Sequence, residues 1–173
     1  MTPTLPPLDD WLYHLGVLVS SFHSLEFVVR AFLFERTTPA AQKPRHGENL
    51  YEVVPGALVL LNAMTDYRTL GELLAAYNAS LPKGKTDWMV DEGVTAVRDA
   101  IAHGRVASPS TSDSMHLIKF DRPTDKNASH VRVSENVVVD VPWMRRNIGH
   151  VLHQAAKVAE AHETLHGGSR TSR

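Results

Sequence analysis

The sequence predicts an all-α fold: an up-and-down helical bundle with a small antiparallel β insert before the last helix. Three observations carry this expectation. Apolar residues recur at helical spacing over long stretches near both ends of the chain. Capping and stop signals bracket two shorter helices between them. Alternation of period two, the mark of a strand, is confined to residues 115–120 and 130–141.

The first helix is expected over residues 8–35. Trp11, Leu15, Leu18, Phe22, Leu25, Val29 and Phe32 follow one another by steps of four and three, and Leu12, Val19 and Leu33 widen the face. So broad a stripe suggests burial on two sides, as in a bundle or a dimer. Residues 37–49 and Pro55-Gly56 read as loop and break. A second helix begins at Thr69, where Thr69-x-x-Glu72 matches a capping box, and stops before Pro82. A third is expected to start at Thr86 or Asp87, to present Val90, Val94, Val97 and Ile101, and to end at Gly104. Residues 107–113 form a Ser/Pro loop, followed by a β element of two or three strands. Pro142 opens the last helix, in a first-turn position that proline tolerates. Its face is Ile148, Val151, Leu152, Ala155, Val158, Ala159 and Leu165. One domain is expected over residues 1–166, with a disordered tail over 167–173.

The 173 residues carry a formal net charge of −1 and no cysteine. The charge argues against an avid, sequence-blind binder of nucleic acid, so any polyanion site must be a local patch. Disulfides and thiolate metal sites are excluded, and a reducing, cytoplasmic compartment is expected. The N-terminus lacks the pattern of a signal peptide, and the apolar runs, such as 57–61, are short, so no membrane span is expected.

Chemistry concentrates in Val97-Arg98-Asp99-Ala100-Ile101-Ala102-His103-Gly104-Arg105. Asp99 and His103 are four residues apart on a helix, where a carboxylate can orient an imidazole. Arg98 lies about 140° around the axis from His103. Gly104 lets the backbone turn away and leaves the imidazole at the helix end. The string Arg98-Asp99-x-x-x-His103 resembles the arginine–histidine signature of HEPN domains (higher eukaryotes and prokaryotes nucleotide-binding). Gly104-Arg105 and the layout, with Leu25-Glu26-Phe27 in a long first helix, are similar to many members of the family, and the β insert with Leu117-Ile118-Lys119-Phe120 ahead of a Pro-Trp helix start resembles one prokaryotic subgroup. The resemblance implies a metal-independent endoribonuclease, without cofactor, whose site forms where two motifs meet across a homodimer. It implies His103 as acid and base, Arg98 as phosphate clamp and Asp99 as orienter. It also admits a noncatalytic module that binds nucleotide, RNA or a protein, or a structural dimerisation domain. A toxin with an antitoxin protein partner is a further expectation drawn from the family.

Glu26 interrupts an otherwise apolar row, and a carboxylate there needs a partner. It either reaches Arg98 and holds its guanidinium, or pairs with Arg30 one turn on. Arg105, Lys119, Arg122, Lys126 and Arg132 either track an RNA backbone or form a solvated hairpin with Asp121 and Asp125. Gly84-Lys85-Thr86 lacks the earlier glycine of a phosphate loop, Ala79 standing in its place. The pairs His150/His153 and His162/His166 have spacings that suit a shared metal, but His162 continues the apolar stripe, so packing is expected and no metal site is assigned. Trp11, Trp88 and Trp143 are read as core and corner residues.

Overall fold

The structure, a computed structural model, describes residues 8–42, 52–108, 115–123, 125 and 129–166. Its helices are α1 (Leu8–Thr37), α2 (Leu70–Ser80), α3 (Val94–His103) and α4 (Val141–His166). Its strands are β1 (Arg105–Ala107), β2 (His116–Phe120) and β3 (Val133–Val138), joined in one antiparallel sheet of order β1-β2-β3. The class is therefore mixed helix and sheet, which corrects the expected all-α up-and-down bundle with a β insert. The sheet is part of the core: β2 packs against α3, and Leu117 of β2 is 1% exposed. The sequence reading missed β1, because three exposed residues directly after a helix give no alternation signal.

The chain forms two compact units, Met1–His23 with Glu92–His153 and Ser24–Asp91 with Gln154–Arg173. In the first unit, Trp11 donates its indole N–H to the Val139 carbonyl at 2.8 Å, tying α1 to the chain just after β3. Asp140 caps α4 by accepting from the Trp143 amide at 2.7 Å, with Pro142 inside the first turn as expected. Buried in this unit are Leu18, Phe22, Val94, Ala100, Val139, Met144 and Val151.

In the second unit, Thr69 caps α2 and both halves of the capping box are made. The third helix begins later than Thr86 or Asp87. Residues Thr86–Trp88 make one 3-10 turn, and α3 starts only at Val94. The cause is side-chain capture of the backbone. Tyr77 donates its hydroxyl to the Trp88 carbonyl, Asn78 bonds both the carbonyl and the amide of Val90, and Gln154 accepts from the Asp91 amide. A helix through 88–91 would need those same groups. Burial, together with the charge of Glu160, pushes the Tyr77 phenol up to about 12, so it stays a donor.

Helix α1 bears on the expectation that no segment spans a membrane. Over Asp9–Thr37 it is long and apolar enough to cross a membrane, with mean hydropathy 1.5. A core helix and a signal segment pass the same test of length and composition. Its buried side chains include Leu18, Leu25, Val29 and Phe32. Residues 57–61 run without regular structure and are exposed, Leu58 fully so.

Arg30 is the polar hub of the second unit. Its guanidinium donates to Glu26, to the Ala63 and Arg68 carbonyls, and to both the carbonyl and the carboxylate of Asp66. Burial alone would raise the Asp66 carboxyl, but hydrogen bonds from Arg30 and Arg68 outweigh it and hold the group below the usual carboxylate range. Its folded pKa thus lies under the unfolded value of about 3.9. The stabilisation is present above that value and fades as pH falls through the folded pKa. Asp66→Ala is expected to lower stability by about 2 kcal/mol at pH 7. It should also flatten the stability loss on acidification below about pH 4. Urea unfolding at pH 7 and pH 3 checks both.

Candidate functional site

The candidate site lies in the first unit, at the end of α3 and the start of the sheet. His103 is the last residue of α3, and Gly104 is its C-cap. Gly104 is extended, with φ −73° and ψ 166°, so the position does not demand glycine through its backbone angles. It demands glycine through space. A Cβ here would collide with the Ala100 carbonyl oxygen and stand 2.9 Å from Leu117 Cδ2. Helix and sheet approach so closely here that His103 is followed at once by a strand.

The His103 imidazole is exposed and takes no hydrogen bond among the described residues. Arg98 and Asp99 are also solvent-accessible, with side chains 43% and 48% exposed. The expected orienting contact from Asp99 to His103 is not the one made. Asp99 instead accepts from Arg98 Nη1 at 3.2 Å. An exposed pair of this kind contributes little to stability, so Arg98 exchanges it readily for another anion.

Glu26 takes the partner one helical turn on. It accepts from Arg30 Nε at 2.9 Å, in the second unit, and serves the Arg30 hub. That contact supplies the partner its apolar row requires.

The basic residues do not form a single patch. Side chains alternate across a strand, so Leu117 and Lys119 share one face while His116, Ile118 and Phe120 share the other. Arg105 pairs in register with Ile118 and lies over the Phe120 ring at 5.2 Å, a cation–π contact on that second face. Lys119 sits opposite Glu135 and pairs with it at 3.5 Å. Arg132 approaches Asp121 at 3.8 Å, and Arg122 is exposed. Lys126 lies outside the described residues, as does the expected tail over 167–173. Among the described residues, no group of three or more histidine, cysteine or acidic side chains is placed to hold a metal.

Two histidines of this unit were passed over in the sequence. His116 donates its Nδ1–H to Asn136 Oδ1 at 3.1 Å on the Arg105 face of the sheet; the alternation His116-Leu117-Ile118-Lys119-Phe120 could have flagged it. His14 is buried, with Nδ1 on the Asp10 carbonyl at 2.8 Å and Nε2 accepting from Arg145 Nε at 2.9 Å. Both its nitrogens are engaged, so it braces α1 and α4 and has no free nitrogen for proton exchange. His103 differs from both in being exposed with no hydrogen bond to its ring among the described residues.

Gly104→Ala is expected to destabilise the protein by about 1–3 kcal/mol, because helix and strand must part to admit the methyl group. Chemical denaturation measures the loss, and shifted amide resonances at Ala100 and Leu117 would localise it.

Comparison with protein-family models finds no match, and comparisons with curated proteins and with solved structures find none either.

Proposed function

We propose that the chain is a HEPN-like, metal-independent endoribonuclease that acts as a homodimer. The observation that supports this reading is the imidazole of His103, exposed and without a hydrogen bond among the described residues, five positions on from Arg98 in the same short helix. A general base needs a nitrogen that can take a proton, and the other histidines discussed for this unit each have a nitrogen already bound. In the proposed reaction, His103 of one copy removes the ribose 2′-hydroxyl proton. The 2′-oxygen attacks the adjacent phosphorus, the bond to the 5′-oxygen breaks, and His103 of the second copy protonates that oxygen. The products are a 2′,3′-cyclic phosphate and a 5′-hydroxyl. Arg98 leaves Asp99 for the phosphate and stabilises the charge that builds on its oxygens. Arg105, Lys119, Arg122 and Arg132 are the candidates for holding the flanking backbone. The absence of cysteine fits a reducing, cytoplasmic setting, and a toxin or defence role with an antitoxin partner goes with the same reading.

A second reading, a noncatalytic module for RNA, nucleotide or a protein partner, draws on a specific observation. Arg98, Lys119 and Arg132 each already face a carboxylate. A structural dimerisation domain would need none of these three groups free.

Cleavage of a labelled RNA pool in EDTA separates these readings. The wild-type chain is expected to release fragments with cyclic phosphate ends, and His103→Ala to lower the rate by at least about 10²-fold while folding normally. A folded, dimeric wild type that binds RNA without cutting it would transfer the assignment to the binding module.

A further inference from the structure

The second unit contains an unassigned pair of imidazoles. Residues 162–166 read His-Glu-Thr-Leu-His, which matches the helical H-E-x-x-H pattern that presents two histidines to one metal ion. His162 and His166 occupy the last turns of α4, one turn apart on the same side of the helix. Their ring centroids are 5.3 Å apart, with the planes inclined at 49°. Two imidazoles bound to one zinc at a tetrahedral angle, with Zn–N of about 2.0–2.1 Å, place their ring centres about 5 Å apart. The observed spacing of the ring centres matches that value.

A second observation concerns the nitrogens. The Nε2 atoms of both rings are shielded from solvent, and that of His162 has no hydrogen-bond partner. Buried polar atoms are almost always bonded, and an unexplained exception points to a missing water or ion. The surroundings are aromatic. Phe32 meets the edges of His162 and His166 at 6.3 and 5.6 Å, and Tyr77 packs on Phe32 at 4.8 Å. Aromatic packing accounts for the ring carbons and leaves the His162 nitrogen desolvated.

We propose that His162 and His166 form a binding site for a borderline divalent transition-metal ion of the zinc, nickel or copper type, the class that imidazole favours. His162 and His166 are each only partly buried, so an ion held on their nitrogens stays within reach of water, which supplies the remaining coordination positions. Glu163 is exposed and a third protein ligand is missing among the described residues, so the site is assigned ion binding and no hydrolytic role. Protons compete for the same nitrogens, so affinity falls on acidification. The inference is independent of the nuclease reading, which uses residues of the other unit.

The test is titration of the untagged full-length chain with Zn²⁺ alone, against a chromophoric competitor. One ion per chain is expected. Loss of a direct ligand should cost at least the roughly tenfold that outer-shell losses cost, so His162→Gln and His166→Gln should each weaken binding by that factor, and His153→Gln should not. Equal binding by wild type and both variants, or no stoichiometric uptake, would overturn the proposal. Should either variant fail to fold, the imidazole ¹⁵N resonances of the wild type decide. Zn²⁺ must move those of His162 and His166, and a response confined to other histidines sinks the site.

Discussion

Gly104 lies so close to the Ala100 carbonyl oxygen and the Leu117 side chain that no β-carbon fits between them. This one approach fixes much of the first unit. It ends α3 at His103, starts β1 at Arg105 and sets β2 against the helix. The same contact determines what His103 can do. A helix that ended more loosely would let the imidazole fold back onto its own carbonyls. Here the chain leaves the helix extended, and the ring is exposed and takes no hydrogen bond among the described residues. The position is occupied by glycine for reasons of volume, since its backbone angles suit any residue.

The second unit depends on polar side chains that bind backbone. Arg30 gathers three carbonyls and two carboxylates, and Tyr77, Asn78 and Gln154 hold the stretch 88–91. Each bond contributes modestly, but each buried partner would be expensive to leave unmade. Together they convert what the apolar spacing advertises as helix into a 3-10 turn and an extended link. Val90 illustrates the conflict. It falls on the helical stripe with Val94 and is buried as that stripe requires, yet Asn78 has claimed its amide and its carbonyl.

This explains which parts were legible in the sequence. The ends of α1, α2 and α4 could be read because their signals are local: a long apolar period, a capping box, a proline in a first turn. Strands β2 and β3 were legible from alternation, although their ends moved inward by a few residues. The start of α3 and the whole of β1 were not, because their causes lie far along the chain, in Asn78, Gln154 and Leu117. Class was misjudged for the same reason. A sheet that looks like an appendage by length becomes core once Leu117 is buried and Gly104 admits it to the helix. The site followed the same division. The motif gave Arg98 and His103 on one short helix, but not the partner that Asp99 chose, nor the division of Arg105 and Lys119 between opposite faces of the sheet.

The chemistry proposed for His103 makes a demand of its own. Transfer of a phosphodiester to its 2′-hydroxyl needs a base at the attacking oxygen and an acid at the leaving oxygen, on opposite sides of the phosphorus. One imidazole cannot serve both ends within a single passage. In the first unit His14 has both nitrogens bound, and His116 has Nδ1 bonded to Asn136 on the sheet face that carries Arg105. His103, at the end of α3, differs from these two in taking no hydrogen bond among the described residues. A net charge of −1 supplies no general attraction that would excuse a half-built site by concentrating RNA around it. The nuclease reading therefore calls for a second proton-transfer group, and the reaction proposed above takes it from the His103 of a second copy.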